Sequence, residues 1–74
     1  MTITVKCFAT LRQYAPADGQ MEVAAGDTVE KVLLRLDIPL DEVRLIFVNG
    51  VRSDLETGLA EGDRLGVFPP VGGG

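Results

Sequence analysis

The chain has 74 residues, 46% of them apolar and 24% charged, and a net charge of −4 from 11 acidic and 7 basic residues. A length like this holds one domain with a small core, burying only about 60% of the surface that the unfolded chain exposes. Its basic residues (Lys6, Arg12, Lys31, Arg35, Arg44, Arg52, Arg64) are scattered, which argues against nucleic acid, and no run nears the roughly 20 apolar residues of a membrane span.

The opening "MTITVKCF" lacks the basic region and long apolar core of a signal peptide, so the sequence reads as cytosolic. From about Thr2 to Phe8 it alternates β-branched and polar residues, the pattern of a first strand. Cys7 shares the apolar parity of Ile3 and Val5. As the only cysteine it forms no internal disulfide, and it reads as a small buried hydrophobe rather than a reactive thiol. "ATLRQYAPADG" follows as a connection with turn chemistry at Pro16, Asp18 and Gly19, and "QMEV" is a short second strand forming a hairpin with the first.

"GDTVEKVLLRL" carries the helix signal. Asp27 is placed to cap the first turn, with Glu30 at capping-box spacing. Val29, Val32, Leu33 and Leu36 form one apolar stripe, and Pro39 closes the element. "LDEVR" is read as a further helical turn. In "LIFVNGVRS", Asn49-Gly50 suits a type I′ hairpin turn between a strand at Leu45–Val48 and a short one starting at Val51. "LAEGD" is another turn and "RLGVF" the last strand, with Leu65 and Val67 on one face and Arg64, Gly66 and Phe68 on the other. The order of elements predicts an α+β domain: a mixed sheet of about four to five strands with one main helix on one face. The domain is expected over residues 1–68, followed by a flexible tail over 69–74 that ends in a diglycine.

Catalytic machinery is missing. Without histidine there is no Ser–His or Cys–His pair, and neither a GxGxxG nor a GxxxxGK loop is present to hold a nucleotide. The carboxylate pairs Asp41/Glu42 and Glu61/Asp63 sit among turn formers and read as caps and turn residues rather than acid–base groups. The ending "VFPPVGGG" is different in kind. Pro69-Pro70 favours extended geometry and stops the strand ladder, and six residues reach up to about 20 Å. Glycines without β-carbons can enter a narrow channel, and an ionised terminal carboxylate can attack an activated phosphate. The alternative is a tail that is merely a linker remnant. Phe68, on the face away from the helix, is either an interface contact or covered by its own loop.

"FATLRQYA", "VNGV" and above all "LAEGDRLGVFPPVGGG" resemble the MoaD/ThiS family of ubiquitin-like, β-grasp sulfur carriers, and most closely the small subunit of molybdopterin synthase. The resemblance spans essentially the whole chain. It implies that Gly74, the second glycine of the Gly73-Gly74 pair, is adenylated by an E1-like enzyme using ATP and then converted to a thiocarboxylate with sulfur from a persulfide donor. The chain would bind no cofactor itself. It would supply sulfur to the synthase large subunit, contacting partners through Phe68, Pro69, Pro70 and Val71 where the tail leaves the domain. Gly72 replaces the other small residue usual before the diglycine, which implies a looser tail. The same ending serves thiamine-type carriers and modifiers joined to lysines, and "FPPV" favours the molybdopterin pathway.

Overall fold

The computed structural model describes residues 1–70. Strand β1 (Thr2–Cys7) buries Ile3, Val5 and Cys7 and turns Thr4 and Lys6 to the opposite face. It stops one residue earlier than its alternation suggests. Strand β2 (Gln20–Glu22) pairs antiparallel with it on one edge. After helix α1 (Val29–Arg35), strands β3 (Leu45–Val48) and β4 (Val51–Ser53) form the expected hairpin, with Asn49 and Gly50 both at positive φ. Strand β5 (Arg64–Phe68) enters between β1 and β3, parallel to the first and antiparallel to the second. The sheet order is therefore β2-β1-β5-β3-β4, with the last strand in the middle. The α1 stripe Val29, Val32 and Leu33 is fully buried with Ile3, Val5, Leu65 and Val67 in one core.

Three local expectations give way to tertiary contacts. The segment after β1 is a 3₁₀ helix, Ala9–Tyr14, and its single fully buried side chain, Leu11, completes one end of the core. The helix N-cap is Thr28, whose Oγ1 accepts the Lys31 N–H at 3.4 Å, and not Asp27. Asp27 instead lies buried, accepting the Ala24 N–H at 2.8 Å and two guanidinium bonds from Arg35 at 2.7 and 3.2 Å. Charge-assisted bonds of that kind are about twice as strong as neutral ones, so the carboxylate goes to the arginine. The N–H groups of Val29 and Glu30 donate to the carbonyls of Thr57 and Leu55, so the loop before β5 satisfies the helix start. At the other end the helix stops before Pro39 has any effect. Asp37 is left-handed (φ 61°), its N–H donates to the Leu34 carbonyl, and the Ile38 N–H donates to that of Leu33. That is a Schellman ending, with Ile38 packed beneath it in the core. The further turn expected after it is a 3₁₀ turn at Leu40–Glu42.

Hydrogen bonds from Arg35 and then from the Ala24 amide hold the Asp27 carboxyl below its ordinary value. A carboxyl depressed by folding stabilises the fold above its unfolded pKa, and that contribution is lost as pH falls through the folded one. The melting-temperature gap between wild type and Asp27→Asn is therefore expected to be widest near neutrality. It should close as the buffer is taken below the normal carboxylate range; a gap independent of pH would refute the ion pair's role.

Cys7 is buried, and that burial pushes its thiol pKa up. It is expected to react with an aromatic disulfide reagent only after denaturant is added. Native-state labelling at the rate of a free thiol would contradict its placement.

Candidate functional site

The helix covers one face of the sheet, and the register sets out what remains on the other. Across the centre run Lys6, Gly66, Phe47 and Arg52, aligned through the pairs Lys6↔Gly66, Phe47↔Gly66 and Phe47↔Arg52. Thr4 and Arg64 are paired on one side of that row, and Phe68 is paired with Leu45 on the other. Phe8 follows β1, and Ala9 beyond it takes a left-handed backbone (φ 53°). That sharp turn leaves Phe8 outside while Leu11 drops into the core.

Phe68 thus lies on the face predicted for it, half-buried, and among the described residues it is met by Phe8, just after β1, and by Phe47 on β3. The Phe8 ring stacks on it with centroids 4.2 Å apart and planes 1° from parallel. Phe47 meets it edge-on at 5.7 Å and 83°. Such pairs add about 0.5–1.5 kcal/mol beyond area burial. The rings border a depression of about 390 Å³ that Gly66, Lys6 and Arg64 also line. A β-carbon on Gly66 would lie 3.6 Å from Phe8 Cε2 and 3.9 Å from Phe68 Cε1, in ordinary van der Waals contact with both rings, so any larger side chain there would grow into the depression.

At the exit of β5 the Phe68 carbonyl accepts the Arg44 N–H at 2.8 Å. Pro69 and Pro70 have no N–H to continue the ladder; Pro69 is half-buried and Pro70 exposed. Val71, Gly72, Gly73 and Gly74 lie outside the described residues. The structure therefore gathers Phe68 and Pro69 at the end of the aromatic face. It also adds Phe8, Phe47, Lys6, Arg64 and Gly66, which sequence reasoning did not single out. Their strand parity was readable, but not the parallel β1–β5 pairing that makes them neighbours.

Of the carboxylate pairs, Glu61 and Asp63 hold backbone and turn contacts, and Asp41 and Glu42 lie exposed in the short 3₁₀ turn. Asp63 accepts the Ala60 N–H and the Asn49 side-chain amide, and Glu61 accepts the Thr2 N–H. Among the described residues no group of His, Cys, Asp or Glu is gathered to hold a metal ion, and no helix is long and apolar enough to cross a membrane.

A mixed five-stranded sheet with one main helix across a single face is the ubiquitin-like β-grasp fold. The ThiS family profile matches residues 5–74, and the chain belongs to that family. It is similar to SAMP1 from Haloferax volcanii, with 25% identity, a TM-score of 0.75 and 100% of both chains covered. It is also similar to a Pyrococcus furiosus protein described as molybdopterin converting factor, subunit 1, with 29% identity, a TM-score of 0.74 and coverage of 96% of this chain and 99% of that one. A Helicobacter pylori complex of subunits 1 and 2 of molybdopterin-converting factor shares the fold at 23% identity, a TM-score of 0.62 and 100% of both chains. No curated protein matches the chain. Family and fold together make it a ubiquitin-like sulfur carrier of the ThiS/MoaD type.

Proposed function

We propose that this chain carries sulfur as a thiocarboxylate on Gly74 and donates it in molybdopterin biosynthesis, as the small partner of a synthase large subunit. The observation that carries this reading is the extent of the family match, which runs through the tail to Gly74. The Pyrococcus furiosus neighbour described as a molybdopterin converting factor subunit supports the choice of pathway.

The chemistry runs in two stages. A carboxylate oxygen of Gly74 attacks the α-phosphate of ATP held by an E1-like enzyme, and pyrophosphate leaves. The resulting mixed anhydride is an acyl electrophile that the carboxylate is not. A persulfide sulfur then attacks the acyl carbon, AMP leaves, and a thiol reductant cleaves the remaining S–S bond to release the thiocarboxylate. ATP is thus a substrate of the activating enzyme rather than a group bound by this chain. Phe68, Pro69, Pro70 and Val71 guide the tail into each partner, and the aromatic face beside them docks the domain. The domain proper is residues 1–68 and the working tail 69–74.

The test is the intact mass of the protein purified from its own host, with and without the E1-like enzyme. A gain equal to replacing one oxygen by sulfur, localised to Gly74 and dependent on that enzyme, is expected. An unmodified terminus under both conditions would refute the reading. The similarity to SAMP1, which is described as a small archaeal modifier protein, favours a second reading in which Gly74 is joined to lysines of other proteins. Isopeptide adducts in the same lysate would support it. A thiamine-type acceptor uses the same activation, and the acceptor that takes up labelled sulfur separates the two pathways.

A further inference from the structure

The charge on this protein is sorted between its two sides. Within the five strands the charged residues are Lys6, Glu22, Arg52 and Arg64, and all four lie on the face away from the helix. Glu22 is on the edge strand, where its carboxylate accepts the Thr2 hydroxyl and meets the Met1 ammonium at 3.6 Å. Lys6, Arg52 and Arg64 form no ion pair among the described residues. An acidic chain therefore presents three uncommitted cations on this face: Lys6 and Arg64 line the depression bounded by Phe8, Phe47 and Phe68, and Arg52 lies cross-strand from Phe47 on the neighbouring strand.

We propose that this depression seats one bulky apolar side chain of a protein partner, that carboxylates flanking it on the partner face Lys6, Arg52 and Arg64, and that Gly66 is the residue that sets the fit. The proposal deepens the docking role in the carrier reading and rests on that reading for the biological partner. Burying an apolar anchor at the centre excludes water, and rim charges of opposite sign then steer and orient the encounter. The Debye length is only about 8 Å at physiological ionic strength, so the acidic loops and helix elsewhere do little to cancel this local field.

Other occupants fit less well. A second copy of this chain would bring the same cations against themselves. Single-stranded nucleic acid needs open ring faces for base stacking, whereas Phe8 and Phe68 already stack on each other, and the chain carries net negative charge.

Amide-shift NMR on the full chain tests the idea with three probes: an acetylated, amidated hexapeptide with a Leu-Phe centre flanked by glutamates, the same peptide with lysines for glutamates, and a short oligothymidine. The glutamate peptide is expected to shift Lys6, Phe8, Phe47, Gly66 and Phe68, and to lose affinity as salt rises. Gly66→Leu, which fills the depression, should weaken it about tenfold or more, and Arg64→Glu should also weaken it. Gly66→Ala keeps ordinary contact distances and a backbone that is not left-handed, so it reports a smaller loss in a folded protein. No response, a response elsewhere, an equal response to the lysine peptide, or a response to oligothymidine alone would overturn the proposal. ATP–pyrophosphate exchange by the host's E1-like enzyme with wild-type chain is run in parallel. Failure of exchange alone counts against the carrier reading, and failure of the titration alone counts against this one.

Discussion

Deleting Gly73 and Gly74 is expected to abolish the oxygen-for-sulfur mass gain while leaving thermal unfolding unchanged. The shortened chain still ends in a glycine carboxylate, Gly72, so the terminal functional group is kept and only its position changes. Two residues of extended chain amount to about 7 Å. A displacement of even about 1 Å from the reacting geometry can cost on the order of 100-fold in rate, so adenylation should fall at least that far. Among the described residues the last core side chain is Val67 and β5 ends at Phe68, which is why the melting curve is expected to stay where it is. Intact mass and a melting curve on the same sample decide the matter. Persistence of the sulfur-bearing mass in the truncated protein would show that the terminus is not the carrier.

Leu33→Ala is expected to be the most damaging conservative change to the fold, and Leu34→Ala, one residue away, nearly silent. Leu33 is fully buried on the core stripe of α1, whereas Leu34 is 55% exposed. Truncating a buried leucine removes its transfer free energy and leaves a cavity, on the order of 3 kcal/mol together. At 74 residues the whole domain is worth roughly 4–11 kcal/mol, so the loss is a large share of the total. The exposed neighbour should change stability by less than about 0.5 kcal/mol. Urea melts of the two variants check both halves of the statement, and equal midpoints would mean that the helix does not face the sheet as described.

Much of the fold was legible because it rests on neighbours in the chain. The alternation of Ile3, Val5 and Cys7, the stripe of Val29, Val32 and Leu33, and the two positive-φ positions of Asn49-Gly50 each follow from local geometry, and each stands in the structure; Leu36, the last residue of the predicted stripe, falls just past the helix and is only partly buried against the core. The helix ends were misread for the opposite reason. Asp27 has the chemistry of a cap, but Arg35 outbids the backbone for it, and the loop at Leu55–Thr57 supplies what a capping box would have satisfied. Asp37 ends the helix in a conformation that favours glycine, held by the bond from Ile38 as that side chain enters the core.

The site divides along the same line. Sequence by itself determined the tail motif, the family resemblance and the outward parity of Phe68. These are properties of residue order, and the chemistry proposed for a terminal carboxylate needs no fold to be recognised. Only the tertiary structure decided that Phe8 and Phe68, sixty positions apart, stack into one surface. It also decided that Lys6 and Arg64 line an opening over Gly66, with Arg52 on the same face beyond Phe47. That assembly depends on β5 closing the sheet parallel to β1, a non-local pairing formed against loop-closure entropy and held by burial of Leu65 and Val67.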